Sequence, residues 1–95
     1  MLTEKHLQNY LFKLAEANGI YCRKMETTAR RGFPDVMMIH NGKVVFVELK
    51  SPSTGGSLSK LQERELKQLS KAGANTFVTN TKEGVDNVVA KLIDA

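Results

Sequence analysis

The chain has 95 residues, a formal net charge of +4 and a single cysteine. Its 41% hydrophobic and 25% charged residues match a folded globular domain rather than a disordered chain, and no apolar run approaches the roughly 18 residues of a membrane span. Cys22 on its own excludes an intramolecular disulfide framework and a cysteine zinc cluster. The opening Met1-Leu2-Thr3-Glu4-Lys5 lacks the basic-then-apolar pattern of a signal segment, so a reducing, cytoplasmic setting is expected.

A length of 95 residues predicts one domain over 1–95, with a core small enough that oligomerisation is plausible. The first element is a helix over Glu4 to Ala17. Leu7, Leu11 and Leu14 recur at helical spacing, Thr3 is the N-cap, and Leu2 and Leu7 stand at the hydrophobic-staple positions. Asn18-Gly19 ends it. Ile20 to Glu26 reads as a strand with imperfect alternation, and Thr27 to Gly32 as a basic loop. Two apolar runs follow, Val36 to His40 and Lys43 to Leu49, separated by Asn41-Gly42. That dipeptide signals a type I′ hairpin, because both central residues need positive φ.

Ser51 to Ser57 is loop-like, with Pro52, Gly55 and Gly56. A second helix covers Ser59 to Ala72, with Leu58, Leu61, Leu66 and Leu69 expected inward and Gly73 closing it. Asn75 to Thr79 is a short strand. The last helix covers Lys82 to Ile93, where Val85, Val88, Val89, Leu92 and Ile93 keep an unbroken helical spacing. The class is α/β, with the order α-β-β-β-α-β-α.

Charge is unevenly spread. Residues 20–31 carry Arg23, Lys24, Arg30 and Arg31 against Glu26, and residues 51–71 carry Lys60, Arg64, Lys67 and Lys71 against Glu63 and Glu65. A basic balance points to an anionic partner such as nucleic acid, though weakly by itself.

The hairpin fixes a register. If Asn41 and Gly42 form the turn, His40 faces Lys43 and Asp35 falls opposite Glu48. Asp35 and Glu48 then share one face, and Lys50 continues it beyond Glu48. Opposed carboxylates have Cβ atoms about 5 Å apart and repel. A divalent cation resolves that repulsion, and a nearby ammonium can orient water or offset charge on a phosphate. The same residues are also compatible with charged strand ends at the surface.

Gly32-Phe33-Pro34-Asp35, then Glu48-Leu49-Lys50, then Gln62 in the next helix, resembles the PD-(D/E)XK nuclease superfamily. Within it the pattern is most similar to the VRR-NUC family, with its G-x-P-D, E-x-K and following glutamine. The resemblance covers nearly the whole chain, which is similar to the minimal stand-alone versions known from phages and bacteria. It also resembles archaeal Holliday-junction resolvases in architecture. It implies a restriction-endonuclease-like core, with a mixed central sheet flanked by helices.

The resemblance implies hydrolysis of DNA phosphodiester bonds with Mg²⁺ or Mn²⁺. Asp35 and Glu48 would bind the ion with the backbone carbonyl of Leu49, and Lys50 would position water or stabilise the transition state. Glu4 would approach the ion through water; its other reading is a first-turn acid favoured by the helix dipole. Glu16 is the second choice for that role. Gln62 would stand beside Lys50, or serve as the N3 residue of a capping box with Ser59. Arg30, Arg31, Lys60 and Arg64 are candidate phosphate contacts.

The implied role is cutting of Holliday junctions or other branched DNA in recombination and repair, where paired nicks call for a C2 homodimer. The alternatives are a non-catalytic nucleic-acid-binding module on the same fold, or a small protein–protein adaptor. The second leaves the opposed carboxylates without a purpose. Gly55-Gly56 with Lys60 lacks the ending of a P-loop. His6 and His40 lack nearby ligand partners for a catalytic zinc. Cys22 reads as a small core residue.

Overall fold

A computed structural model describes residues 2–26, 31–52 and 57–94. Its elements run α1 (Glu4–Ala17), β1 (Tyr21–Lys24), β2 (Val36–His40), β3 (Lys43–Leu49), α2 (Lys60–Lys71), β4 (Asn75–Thr79) and α3 (Lys82–Ile93). The strands form one mixed sheet in the order β1-β2-β3-β4. β1 and β3 pair antiparallel with β2, and β4 lies parallel to β3. Helix α2 makes the crossover that a parallel pair requires.

The Asn41-Gly42 turn sets the centre of the sheet. Asn41 has φ 49° and Gly42 φ 80°, as a type I′ turn demands. Pairing runs from His40 with Lys43 to Val36 with Val47. The pairing ends there, so Asp35 stands just before β2 and Glu48 just after Val47 on β3, at the same end of the hairpin.

Alternation then sorts the side chains. Val36, Met38, Val45, Val47 and Leu49 turn to one face and join Leu7, Leu11 and Ala15 of α1 with Val85, Val88, Val89 and Leu92 of α3. Phe46 and Glu48 turn to the other face, where Glu48 meets α2. Helix α1 starts at a capping box in which Thr3 Oγ1 accepts the His6 N–H and His6 Nδ1 accepts the Thr3 N–H. His6 therefore has a structural task that the sequence did not reveal. Gly19, at φ 67°, ends α1 as expected.

Three expectations change. β1 is shorter than Ile20 to Glu26: Ile20 drops into the core, and Tyr21, Arg23 and Lys24 are exposed on an edge strand. Leu61 is 45% exposed. It stands about 100° round the helix from Gln62, off the Leu58–Gln62–Leu66–Leu69 stripe that faces the sheet. Ile93, at 41% exposure, ends α3 beyond the last position that the core covers.

Candidate active site

Three consecutive residues bring Asp35 to its place. Gly32 has φ 83°, and a Cβ there would stand 2.6 Å from Leu61 O and 2.9 Å from Gln62 N. Only glycine allows both the backbone conformation and this approach to the first turn of α2. Phe33 packs edge-on against Phe46, with centroids 5.5 Å apart. Pro34 is fully buried. Asp35, just before β2, then links the end of β1 to the end of β3. Its carbonyl accepts the Met25 N–H at 2.7 Å, and its Oδ2 accepts the Leu49 N–H at 2.9 Å.

Glu48 follows from β3 and is 2% exposed. Its Oε2 accepts from Gln62 Nε2 at 2.8 Å and stands 3.3 Å from Lys50 Nζ. Its Oε1 is buried and has no hydrogen-bond partner among the described residues. Burial, and then the negative charge of Asp35, push the Glu48 carboxyl up to about 7, against the opposing pull of Lys50. A buried carboxylate oxygen without a partner is costly.

Gln62 performs both of its expected tasks at once. Its N–H donates to Ser59 Oγ at 3.1 Å, and its Oε1 accepts the Ser59 N–H at 2.9 Å, which completes a capping box. The same Oε1 accepts from Lys50 Nζ at 2.8 Å. Two donors on the oxygen and a carboxylate on the nitrogen fix the orientation of the amide.

The remaining candidates are more dispersed. Glu4 is exposed in the first turn of α1, so burial does not oblige it to find a partner. It lines a 330 Å³ cavity with Asp35 and Leu49, and its charge adds to the upward push on Glu48. Arg31 is exposed in the turn before Gly32, and Arg30 lies outside the described residues. Lys60 and Arg64 are exposed on α2. Glu16 borders a different cavity, beside Phe12 and Cys22. Cys22 is partly buried, and burial pushes its thiol up to about 11, as befits a packing residue.

Sequence reasoning missed Lys5 and Gln8 and named Lys24 only as part of the basic 20–31 segment; all three line the same cavity as Glu4 and Asp35. Gln8 lies one helical turn after Glu4 and was legible by spacing. Lys24 was not, because its place depends on the β1–β2 register, where it pairs with Val36.

The arrangement is an anionic floor with ammonium groups around it. Among the described residues no three His, Cys, Asp or Glu side chains are grouped to hold a metal ion by themselves. The donors that Asp35 and Glu48 offer are hard oxygens. Carboxylates in such small number, completed by water, suit Mg²⁺ or Mn²⁺. The unpartnered Glu48 Oε1 fits a cation at this point.

The sequence model of the PD-(D/E)XK nuclease superfamily matches residues 2–94. No curated protein sequence matches the chain. A solved structure described as a VRR_NUC domain is 33% identical, with a TM-score of 0.79, over 93% of this chain and 96% of that one. Another, described as a VRR_NUC domain protein, is 17% identical with a TM-score of 0.82, over 98% of this chain and 89% of that one, and speaks for the fold alone. With its restriction-endonuclease-like α/β fold and its Asp35, Glu48-Leu49-Lys50 and Gln62 elements, the chain belongs to the VRR-NUC family of PD-(D/E)XK nucleases.

Proposed function

We propose that the protein is a divalent-metal-dependent DNA endonuclease that acts selectively on Holliday junctions or other branched DNA. The observation that carries this reading is the buried, unpartnered Oε1 of Glu48 beside the Asp35 carboxylate, with Lys50 and Gln62 engaged on the other oxygen. Lys50 and Gln62 complete the contacts of Oε2, Oε1 has none among the described residues, and the charge of Asp35 acts on the same carboxyl.

Asp35 and Glu48 would hold Mg²⁺ or Mn²⁺, and Glu4 would reach it through water. The backbone of Leu49 supports its place in the set. Its N–H points to Asp35, and in an extended strand a residue's carbonyl points to the same edge. When bound, such an ion lowers the pKa of a coordinated water and offsets charge on the phosphoryl oxygens. Lys50 orients the attacking water or stabilises charge developing on the phosphate. Gln62 keeps the Lys50 ammonium at a fixed point, and Arg30, Arg31, Lys60 and Arg64 contact flanking phosphates. A C2 homodimer would supply the two sites needed for paired nicks.

The test is a cleavage assay on linear duplex, single strand, 5′ and 3′ flaps and a four-way junction, in Mg²⁺, Mn²⁺ or EDTA. Metal-dependent cutting, strongest on branched DNA and lost in Asp35→Ala and Lys50→Ala, is expected. Tight junction binding with no cutting in either metal would overturn it in favour of a non-catalytic binding module.

A further inference from the structure

The outer face of α2 carries more charge than the catalytic reading uses. Lys60, Arg64, Lys67 and Lys71 recur at i, i+4, i+7 and i+11, within an arc of about 60° on the helix. All four are exposed, and none is in an ion pair among the described residues. They line one 420 Å³ hollow, with Glu63 and Gln68 at its two margins. The stripe lies across the helix from Gln62, Leu66 and Leu69, so packing against the sheet does not account for it.

Its length and place suggest what it holds. From Lys60 to Lys71 the helix rises about 16 Å, close to five base pairs at 3.4 Å each. Lys60 is in the same first turn as Gln62, so the stripe begins at the site and leads away from it. It looks outward while Gln62 looks inward, so phosphates on the far half of the stripe are not the ones being hydrolysed.

We infer that the outer face of α2, through Lys67 and Lys71 beyond Lys60 and Arg64, docks a duplex arm of the substrate outside the segment that enters the active site. The inference rests on the nuclease reading for the identity of the polyanion. Phosphate contacts of this kind set register and affinity without reading sequence. They also release counterions, which makes binding salt-dependent.

The experiment measures junction binding by fluorescence anisotropy in EDTA, across a salt series, so that hydrolysis does not consume the probe. The double variant Lys67→Gln/Lys71→Gln is compared with Lys13→Gln/Lys82→Gln, which removes equal charge from the α1–α3 side. The α2 variant should bind about tenfold more weakly and flatten the log–log salt slope by about 2, with the control near wild type. In metal, its KM should rise while kcat at saturating DNA stays unchanged. Equal losses in both double variants, or none in the α2 variant, would overturn the inference. Binding in EDTA is read separately from cutting. A protein that binds through α2 but never cuts refutes the nuclease and keeps the docking face; one that cuts regardless of Lys67 and Lys71 does the reverse.

Discussion

Lys50 Nζ lies 2.8 Å from Gln62 Oε1 and 3.3 Å from Glu48 Oε2, so the shorter of its two contacts is to the neutral amide. The ammonium is thereby tethered to the N-terminus of α2, whose capping box uses the same oxygen. Cap and site can be separated by mutation. Ser59→Ala removes the cap hydroxyl and should cost about 1 kcal/mol of stability, with kcat retained. Gln62→Ala also frees Lys50 and leaves Glu48 with one contact fewer, so kcat should fall about 10–100-fold, the range seen for residues that orient a ligand set. Thermal melts and steady-state cleavage on the two variants check this. An equal kcat loss in both would mean that Gln62 acts only through the helix.

Gly32 offers a second separation. Gly32→Ala meets the α2 backbone at under 3 Å and carries the strain of positive φ. Gly19→Ala, at φ 67° with open space around it, carries the strain alone. Gly19→Ala should therefore cost about 1 kcal/mol and leave cleavage intact. Gly32→Ala should be less stable than that and also lose activity, since α2 must shift and take Gln62 with it. Comparable activity in the two variants would show that the tight approach does not position the site.

These contrasts mark what the sequence could reveal. Asn41-Gly42 fixes the β2–β3 register by local turn chemistry, and that register brings Asp35 and Glu48 to one end of the hairpin without any knowledge of the rest of the fold. Ser59 and Gln62 were legible in the same local way. The Asp35–Leu49 bond, the Gly32 approach and the cavity position of Lys24 depend on how separate elements dock, and local pattern does not encode docking. Leu61 departs from expectation because its angle on the helix, not its leucine identity, decides which face it takes.

Glu48 gives a pH prediction. Its carboxyl is raised from 4.5 to about 7 in the folded protein, so the folded state binds this proton more tightly than the unfolded chain. The associated stability is fully present below pH 4.5 and is lost as pH rises through about 7. The upper bound of the effect is about 3 kcal/mol. In EDTA, denaturant melts of wild type and Glu48→Gln should therefore diverge between pH 5 and pH 8 (~3 units of the titration range), the variant gaining relative stability at the alkaline end. Adding Mg²⁺ at the alkaline end should raise the Tm of wild type more than that of the variant. A stability difference that stays constant across this range would show that burial and Asp35 do not raise the Glu48 carboxyl in spite of Lys50.

Lys24 tests the cavity itself. It reaches the same 330 Å³ space as Asp35 and Glu4, and its pairing with Glu26 at 3.2 Å is between exposed groups. Exposed pairs contribute little, typically 0–1 kcal/mol, so losing this one should leave stability nearly unchanged. An ammonium beside a carboxylate floor is placed to draw in a phosphate. Lys24→Gln should therefore raise KM several-fold with little change in kcat, and Glu26→Gln, which frees Lys24 from its partner, should lower KM or leave it unchanged. Steady-state cleavage of the preferred substrate at low and at high salt reads both effects, and screening should shrink them as salt rises. A fall in kcat without a change in KM for Lys24→Gln would instead place Lys24 in the chemical step.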